Sequence, residues 1–225
     1  MKRNMKLMVF VLFTFTNTLF GQKISNIDFD QIKQNIEDSS TIYYYPKLIQ
    51  RFHQLDTTLT ENDFRHLYYG SVFAENYNPY SKDKNEEKFN SLYNDEKYKK
   101  AIEFGENSLK EIPVNLNVLF RLMVCYHVLD DKITAKKYGR LYYGLLNEIY
   151  ESGDGKSINT AYVVIKINDE YQILKDLKLQ SRGQALLSGP TDRLSIDTED
   201  QKEISELYFN IAKPFESLSK MFKKK

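Results

Sequence analysis

Apolar residues in the first two-thirds of this chain recur at spacings of three and four, the period of helices that bury one face. Ile27 precedes Asp28, which with Gln31 makes an N-cap signature, and Ile32 is placed to staple against Ile27. A first helix is therefore predicted to about Glu37. Pro46 suits a first helical turn, and Leu48, Ile49 and Phe52 share a face, so a second helix ends near Leu55. Thr60 with Asp63 repeats the cap, and Phe64, Leu67, Tyr68 and Val72 carry a third helix to about Phe73, before the loop Asn76-Tyr77-Asn78-Pro79-Tyr80. From Glu86 the chain repeats itself: a slide of about 34 residues superposes Ala101 on Ala135, Phe104 on Tyr138, Gly105 on Gly139, Ile112 on Leu146 and Leu92 on Tyr126. A small residue beside a large one at each helix contact lets paired rods approach closely.

The pattern changes after Glu151-Ser152-Gly153-Asp154-Gly155, a glycine-rich break. Ala161 to Ile167 is nearly continuous in apolar and β-favouring residues and is predicted to be a buried strand. Asn168 then caps a short helix carrying Tyr171, Leu174 and Leu177, with a second strand as the alternative. Strands are predicted at Gln184 to Leu187 and Arg193 to Ile196, flanking the turn Ser188-Gly189-Pro190-Thr191, and again at Leu207 to Ile211. Pro214 opens a last helix with Phe215, Leu218, Met221 and Phe222 on one face, and Lys223 to Lys225 are expected to fray. The expected fold is α+β and mainly α: an antiparallel helical layer, then a small mixed part with a short sheet. The implied division is residues 1–21, 22–151 and 152–225.

The first segment bears on the compartment. Lys2, Arg3 and Lys6 precede the apolar run Leu7 to Phe13, which is diluted by Thr14, Thr16, Asn17 and Thr18 before Gly21. This is the layout of a signal peptide, expected to be cleaved after Gly21, because a spanning helix needs about 20 apolar residues. No later segment is apolar enough to span, and the mature protein is expected in the periplasm or the medium. Hydrophobic residues at 41% and charged residues at 28% suit a chain with a sizeable core. The net charge of +1 turns mildly acidic without the three basic residues of the first segment, so nothing points to nucleic acid. The aromatics are 17 Tyr and 14 Phe with no Trp, which implies packing surfaces that also need hydroxyl partners. A single cysteine, Cys125, cannot form an intramolecular disulfide, and in the run Leu122 to Tyr126 it reads as a small buried hydrophobe.

Tyr98 to Phe104 followed by Ile112-Pro113-Val114-Asn115, with Leu119, Leu122 and Tyr126 beyond, resembles the second helix of one tetratricopeptide unit and the first helix of the next. Gly105, Gly139 and Met123 depart from that pattern. Only two units are recognisable, so the three upstream helices are expected to complete the layer. The segments Tyr68-Tyr69-Gly70, Tyr77-Asn78-Pro79-Tyr80, Ser152-Gly153-Asp154-Gly155, Asp169-Glu170-Tyr171, Gln184-Ala185-Leu186 and Leu207-Tyr208-Phe209-Asn210 resemble domain of unknown function family 4919, a family of exported bacterial proteins. That resemblance implies no activity and no catalytic residues.

Candidate chemistry is sparse. Gly155-Lys156-Ser157 lacks the glycine a phosphate loop needs at position 150, which is Tyr150, and reads as a turn. His53, His66 and His127 have no ligand spacing, so no metal or cofactor is expected; His53 and His66 are read as solvent-facing and His127 as partly buried. Asp169 and Glu170 read as acids placed for a helix dipole rather than as an acid-base pair. Tyr68, Tyr69, Tyr77 and Tyr80 belong to a dense aromatic set that either grips a ligand or stitches loops onto the repeat, with the stitching role favoured. The function expected is a non-catalytic module of the cell envelope that binds another protein or a peptide. A small-ligand or carbohydrate binder using the tyrosines comes second, and a hydrolase third.

Overall fold

The computed structural model describes residues 27–75, 77–81, 83–197 and 204–223. The proposed signal segment, Asn76, Lys224 and Lys225 lie outside them. Seven helices come first: α1 (Phe29–Glu37), α2 (Tyr45–His53), α3 (Glu61–Gly70), α4 (Lys84–Asn94), α5 (Tyr98–Glu111), α6 (Leu116–Val128) and α7 (Lys132–Glu151). Their starts follow from the side chains read above. The Gln31 N–H donates to Asp28 Oδ1 over 2.9 Å, and Thr60 and Asp63 form a reciprocal capping box at α3. A single-turn 3-10 segment, Ser71–Phe73, extends α3 to the predicted end.

The region from α4 to α7 is built of consecutive antiparallel helices joined by short turns. The turns after α4 and α6 are alike. Glu96 and Asp130 both take left-handed backbone, with φ of 58° and 64°, and the following N–H groups of Lys97 and Asp131 reach back to Leu92 O and Tyr126 O over 2.9 Å each. The two closures lie 34 residues apart. The small residues of the sequence repeat sit at helix contacts: Ala101 and Ala135 are buried with Gly105 and Gly139. A Cβ on Gly105 would stand 2.9 Å from Leu122 Cδ2 and 3.1 Å from the Phe89 ring. Leu122 and Tyr138 are buried, while Phe104 and Tyr126 are half-buried. Tyr126 stacks on Tyr138 at 5.4 Å, and both hydroxyls donate to Glu106 Oε1 over 2.7 and 3.2 Å.

After the break come β1 (Tyr162–Val163), α8 (Ile167–Asp176), β2 (Ser181–Leu187), β3 (Thr191–Ile196), β4 (Glu206–Asn210) and α9 (Ala212–Lys223). The sheet order is β1-β4-β3-β2, with β1 parallel to β4 and the remaining pairs antiparallel. Gly155, at φ 66°, turns the chain from α7 into this part; its N–H donates to Thr160 O and its carbonyl accepts from the Tyr208 N–H. A single buried cluster runs from Ile27 through Tyr142 and Leu146 to Phe209 and Ile211, so helical part and sheet share one core.

Three expectations are corrected. The strand predicted at Ala161 to Ile167 contracts to Tyr162–Val163: Val164 and Ile165 are buried beyond the ladder, and α8 already begins at Ile167. An apolar run reports burial, and cannot separate a strand from a buried lead into a helix. The cap of α8 falls at Lys166, in extended backbone, and Asn168 is exposed in the first turn. The histidine environments are exchanged, since His127 is exposed and His66 is buried. His66 stacks on Tyr43 at 3.9 Å, its Nδ1–H donates to Asn62 O over 2.7 Å, and Nε2 accepts from Asn35 Nδ2 over 2.9 Å.

Candidate functional site

A groove of about 1090 Å³ follows α7 between α3 and α6. Each wall is placed by a cap. The Thr60 box starts α3 so that Glu61 and Asn62 stand on the rim and Phe64 points inward, and Asp131 Oδ1 accepts from the Thr134 N–H over 3.0 Å to start α7. The floor is apolar and low. Leu59, Phe64, Met123, Ala135 and Gly139 line it, and a Cβ on Gly139 would meet Met123 Sδ at 3.1 Å. Along α7 the groove-facing positions Lys132, Lys136, Arg140, Tyr143 and Asn147 follow helical spacing and are exposed, Tyr143 at 46%. Of the three cations, Lys132 pairs with Asp130 at 3.1 Å and Arg140 Nη2 donates to Leu59 O over 2.8 Å; Glu61 also lines the groove, while the Glu148 carboxylate is buried and accepts from Arg65 Nε over 3.0 Å. Burial pushes the Glu148 carboxyl up to about 7, against the lowering effect of Arg65. Among the described residues none beyond Glu148 lines the groove.

The tyrosines singled out in the sequence part company. Tyr68 and Tyr69 have no accessible surface, so neither can present a face to a ligand. Their hydroxyls pin the C-terminal part instead: Tyr68 donates to Asp169 Oδ2 over 2.7 Å, and the Tyr69 hydroxyl lies 3.0 Å from Glu148 O and 3.2 Å from Val163 O. Tyr77, half-buried, donates to Ile165 O over 2.6 Å, and Tyr80 is 39% exposed. Tyr77 lines a second cavity, of about 280 Å³, with Tyr45, Ile49, Val114 and Lys166.

Asp169 and Glu170, read as acids placed for a helix dipole, stand in the first turn of α8 and are buried at the same seam. Burial raises Asp169 to about 6 even though Lys166 and the Tyr68 hydroxyl favour its charged form. Glu170 goes further, to about 9, through burial and then through the neighbouring Asp192 carboxyl. Neither Glu170 oxygen has a hydrogen-bond partner, so burial and the neighbouring Asp192 carboxyl both favour its protonated form; Asp192 itself accepts from Gln184 Nε2 over 2.5 Å. The sequence signal available was the unusual pairing of two acids with flanking apolar residues in α8. It does not reveal which face is covered. Cys125 is buried, and burial raises its thiol to about 11, which leaves it unreactive at neutral pH. Among the described residues no group of three His, Cys, Asp or Glu comes together in a way that could hold a metal ion. No described helix is long and apolar enough to cross a membrane.

A family model described as Domain of unknown function (DUF4919) matches residues 30–220. The chain belongs to DUF4919. No curated protein and no solved structure matches it, so the likeness of the α4–α7 region to tetratricopeptide units stays one of spacing. In this DUF4919 chain the short segments that carried the family resemblance converge in space. Tyr68, Tyr69 and Tyr77 reach across to Asp169, Val163 and Ile165, and Ser152 Oγ accepts from the Val163 N–H over 2.8 Å. Gln184 on β2 meets Asp192 on β3, and Phe209 on β4 packs against Tyr162 at 5.8 Å. These DUF4919 segments build the joint between helices and sheet, whereas the groove lies on another side of α7.

Proposed function

We propose that this protein is an exported, non-catalytic binding module whose groove along α7 takes a segment of a partner protein or peptide in the cell envelope. The observation that carries the reading is the groove itself: an apolar floor kept low by Ala135 and Gly139, with three exposed cations along α7 and, among the described residues, none beyond Glu148 in its lining. A preformed groove of this kind suits an apolar strip, and the cations Lys132, Lys136 and Arg140 favour a segment with acidic residues beside that strip. Export is supported by the basic residues and the short apolar run before Gly21.

A photo-crosslinking residue in place of Tyr143, in the producing cells, should trap one defined partner. Reversing two charges together, Lys132→Glu with Lys136→Glu, should reduce that adduct while leaving the fold intact. Failure to trap any partner from Tyr143, or an adduct indifferent to the charge reversal, would remove the reading. Mass spectrometry of the protein from the same cells should find an N-terminus at Gln22; retention of Met1 would sink the export element alone. A second reading, a small-ligand site, is favoured by the 280 Å³ cavity where Tyr45, Tyr77 and Lys166 meet. Saturable thermal stabilisation by a sugar, abolished by Tyr77→Ala and unaffected by the α7 charge reversal, would prefer it.

A further inference from the structure

Helix α9 packs the wrong way round for a helix that seeks a core. Its sequence is amphipathic, with Phe215, Leu218, Met221 and Phe222 on one side and Lys213, Lys220 and Lys223 on the other. The polar side is the one turned toward the body. Lys213 Nζ lies 4.5 Å from the Phe29 ring centroid, and Lys213, Ser217 and Lys220 face Phe73 and Tyr77 across a cleft of about 560 Å³. Of the helix only Pro214 is buried. Phe222, 71% exposed, and Phe215, 39% exposed, meet water on the apolar side, while Met221, 46% exposed, stands where that side borders the cleft. Contiguous apolar area presented in this way marks an interaction face.

We propose that α9 is a membrane-surface element, which lays this aromatic face into the interface of a bilayer rich in anionic lipid. Charge selects the lipid. Lys223 is exposed, Lys220 is exposed at the cleft, the sequence continues with Lys224 and Lys225, and no acidic residue lies between Glu216 and Lys225. Such a cluster is drawn to the negative potential of anionic headgroups. An apolar patch and a basic patch on one helix are also the two signals that stable surface binding requires. Length sets the geometry, since the 12 residues of α9 are far short of the ~20 needed to span, so the helix lies in the plane of the interface. A second copy of the chain fits this face poorly. A helix of this length is roughly 18 Å long and about 10 Å wide, so its face covers roughly 200 Å², against the ~800 Å² per partner of a stable interface. Two copies would also bring lysine cluster against lysine cluster.

The chain contains no tryptophan, so Phe222→Trp in the otherwise unchanged protein places a single reporter on the face in question, blind to lipid binding elsewhere in the chain. With phosphatidylglycerol-containing vesicles its emission should shift to the blue and be quenched by lipids brominated along their acyl chains. Pure phosphatidylcholine vesicles should give little change, and added salt should reverse the binding. Lys220→Glu and Lys223→Glu should each weaken binding by at least about five-fold, with unchanged circular dichroism. Emission that stays that of a water-exposed indole with anionic vesicles, or shifts equally with neutral ones, overturns the proposal. So does a blue shift that grows with protein concentration in the absence of lipid, which would seat a second copy there.

Discussion

Glu170 shows how much one side chain can depend on a fold that its neighbours in sequence do not announce. It stands in the first turn of α8, where an acid ordinarily faces water and the helix dipole, yet the sheet and Asp192 close over it. Its pKa is raised to about 9 from the ordinary 4.5. Between those values the folded state holds a proton that the unfolded state has released, so stability falls as pH rises from about 4.5 and the loss is complete above about 9. Glu170→Gln keeps the shape and removes the titration. Urea midpoints measured from pH 5 to 9.5 should fall less steeply with pH in the variant than in the parent chain, so that the variant gains relative stability toward alkaline pH; parallel curves would show that the proton is not held there.

At the level of the helices, two features of the α4–α7 region have opposite signs. A glycine inside a helix usually gives way to alanine with a gain of about 0.5–1 kcal/mol. Gly105→Ala should instead destabilise by about 1–3 kcal/mol, because its Cβ would sit 2.9 Å from Leu122 and 3.1 Å from Phe89 and must displace one of them. Chemical denaturation gives the sign directly. The closing turns behave in the converse way. Asp130 holds left-handed backbone at φ 64° as the residue just past the end of α6, where glycine carries no Cβ penalty. Asp130→Gly is expected to stabilise by about 1 kcal/mol, read as a raised urea midpoint.

For the whole molecule, one buried cluster joins α1 to β4, and the hydroxyls of Tyr68, Tyr69 and Tyr77 tie α3 and the loop after it to the lead into α8. Helical part and sheet are therefore expected to unfold together. Far-ultraviolet circular dichroism and tyrosine fluorescence should give coincident transitions in urea; a separate early loss at either signal would mean that the seam is weaker than its contacts suggest. The α7 groove borders this seam at Glu148, whose carbonyl accepts from the Tyr69 hydroxyl, and the cleft beneath α9 borders it at Tyr77.

Local chemistry in the sequence determined the first three helices, the caps at Asp28 and Thr60, the hairpin of β2 and β3, and the recurrence of small residues near 101 and 135. Each of these rests on interactions between residues a few positions apart, or on a period imposed by one buried face. The sequence also placed Cys125 in the core. What only the tertiary structure decided is which of several amphipathic side chains ended inside. Tyr68, Tyr69, His66 and Asp169 carry polar tips that suit water equally well, and they are buried because partners roughly 30 to 100 positions away satisfy them, whereas Glu170 is buried beside Asp192 with no hydrogen-bond partner for its carboxyl oxygens. The same holds in reverse for α9. Its apolar stripe is legible in the sequence, but whether a stripe faces inward or outward depends on the space left by everything else that has already packed.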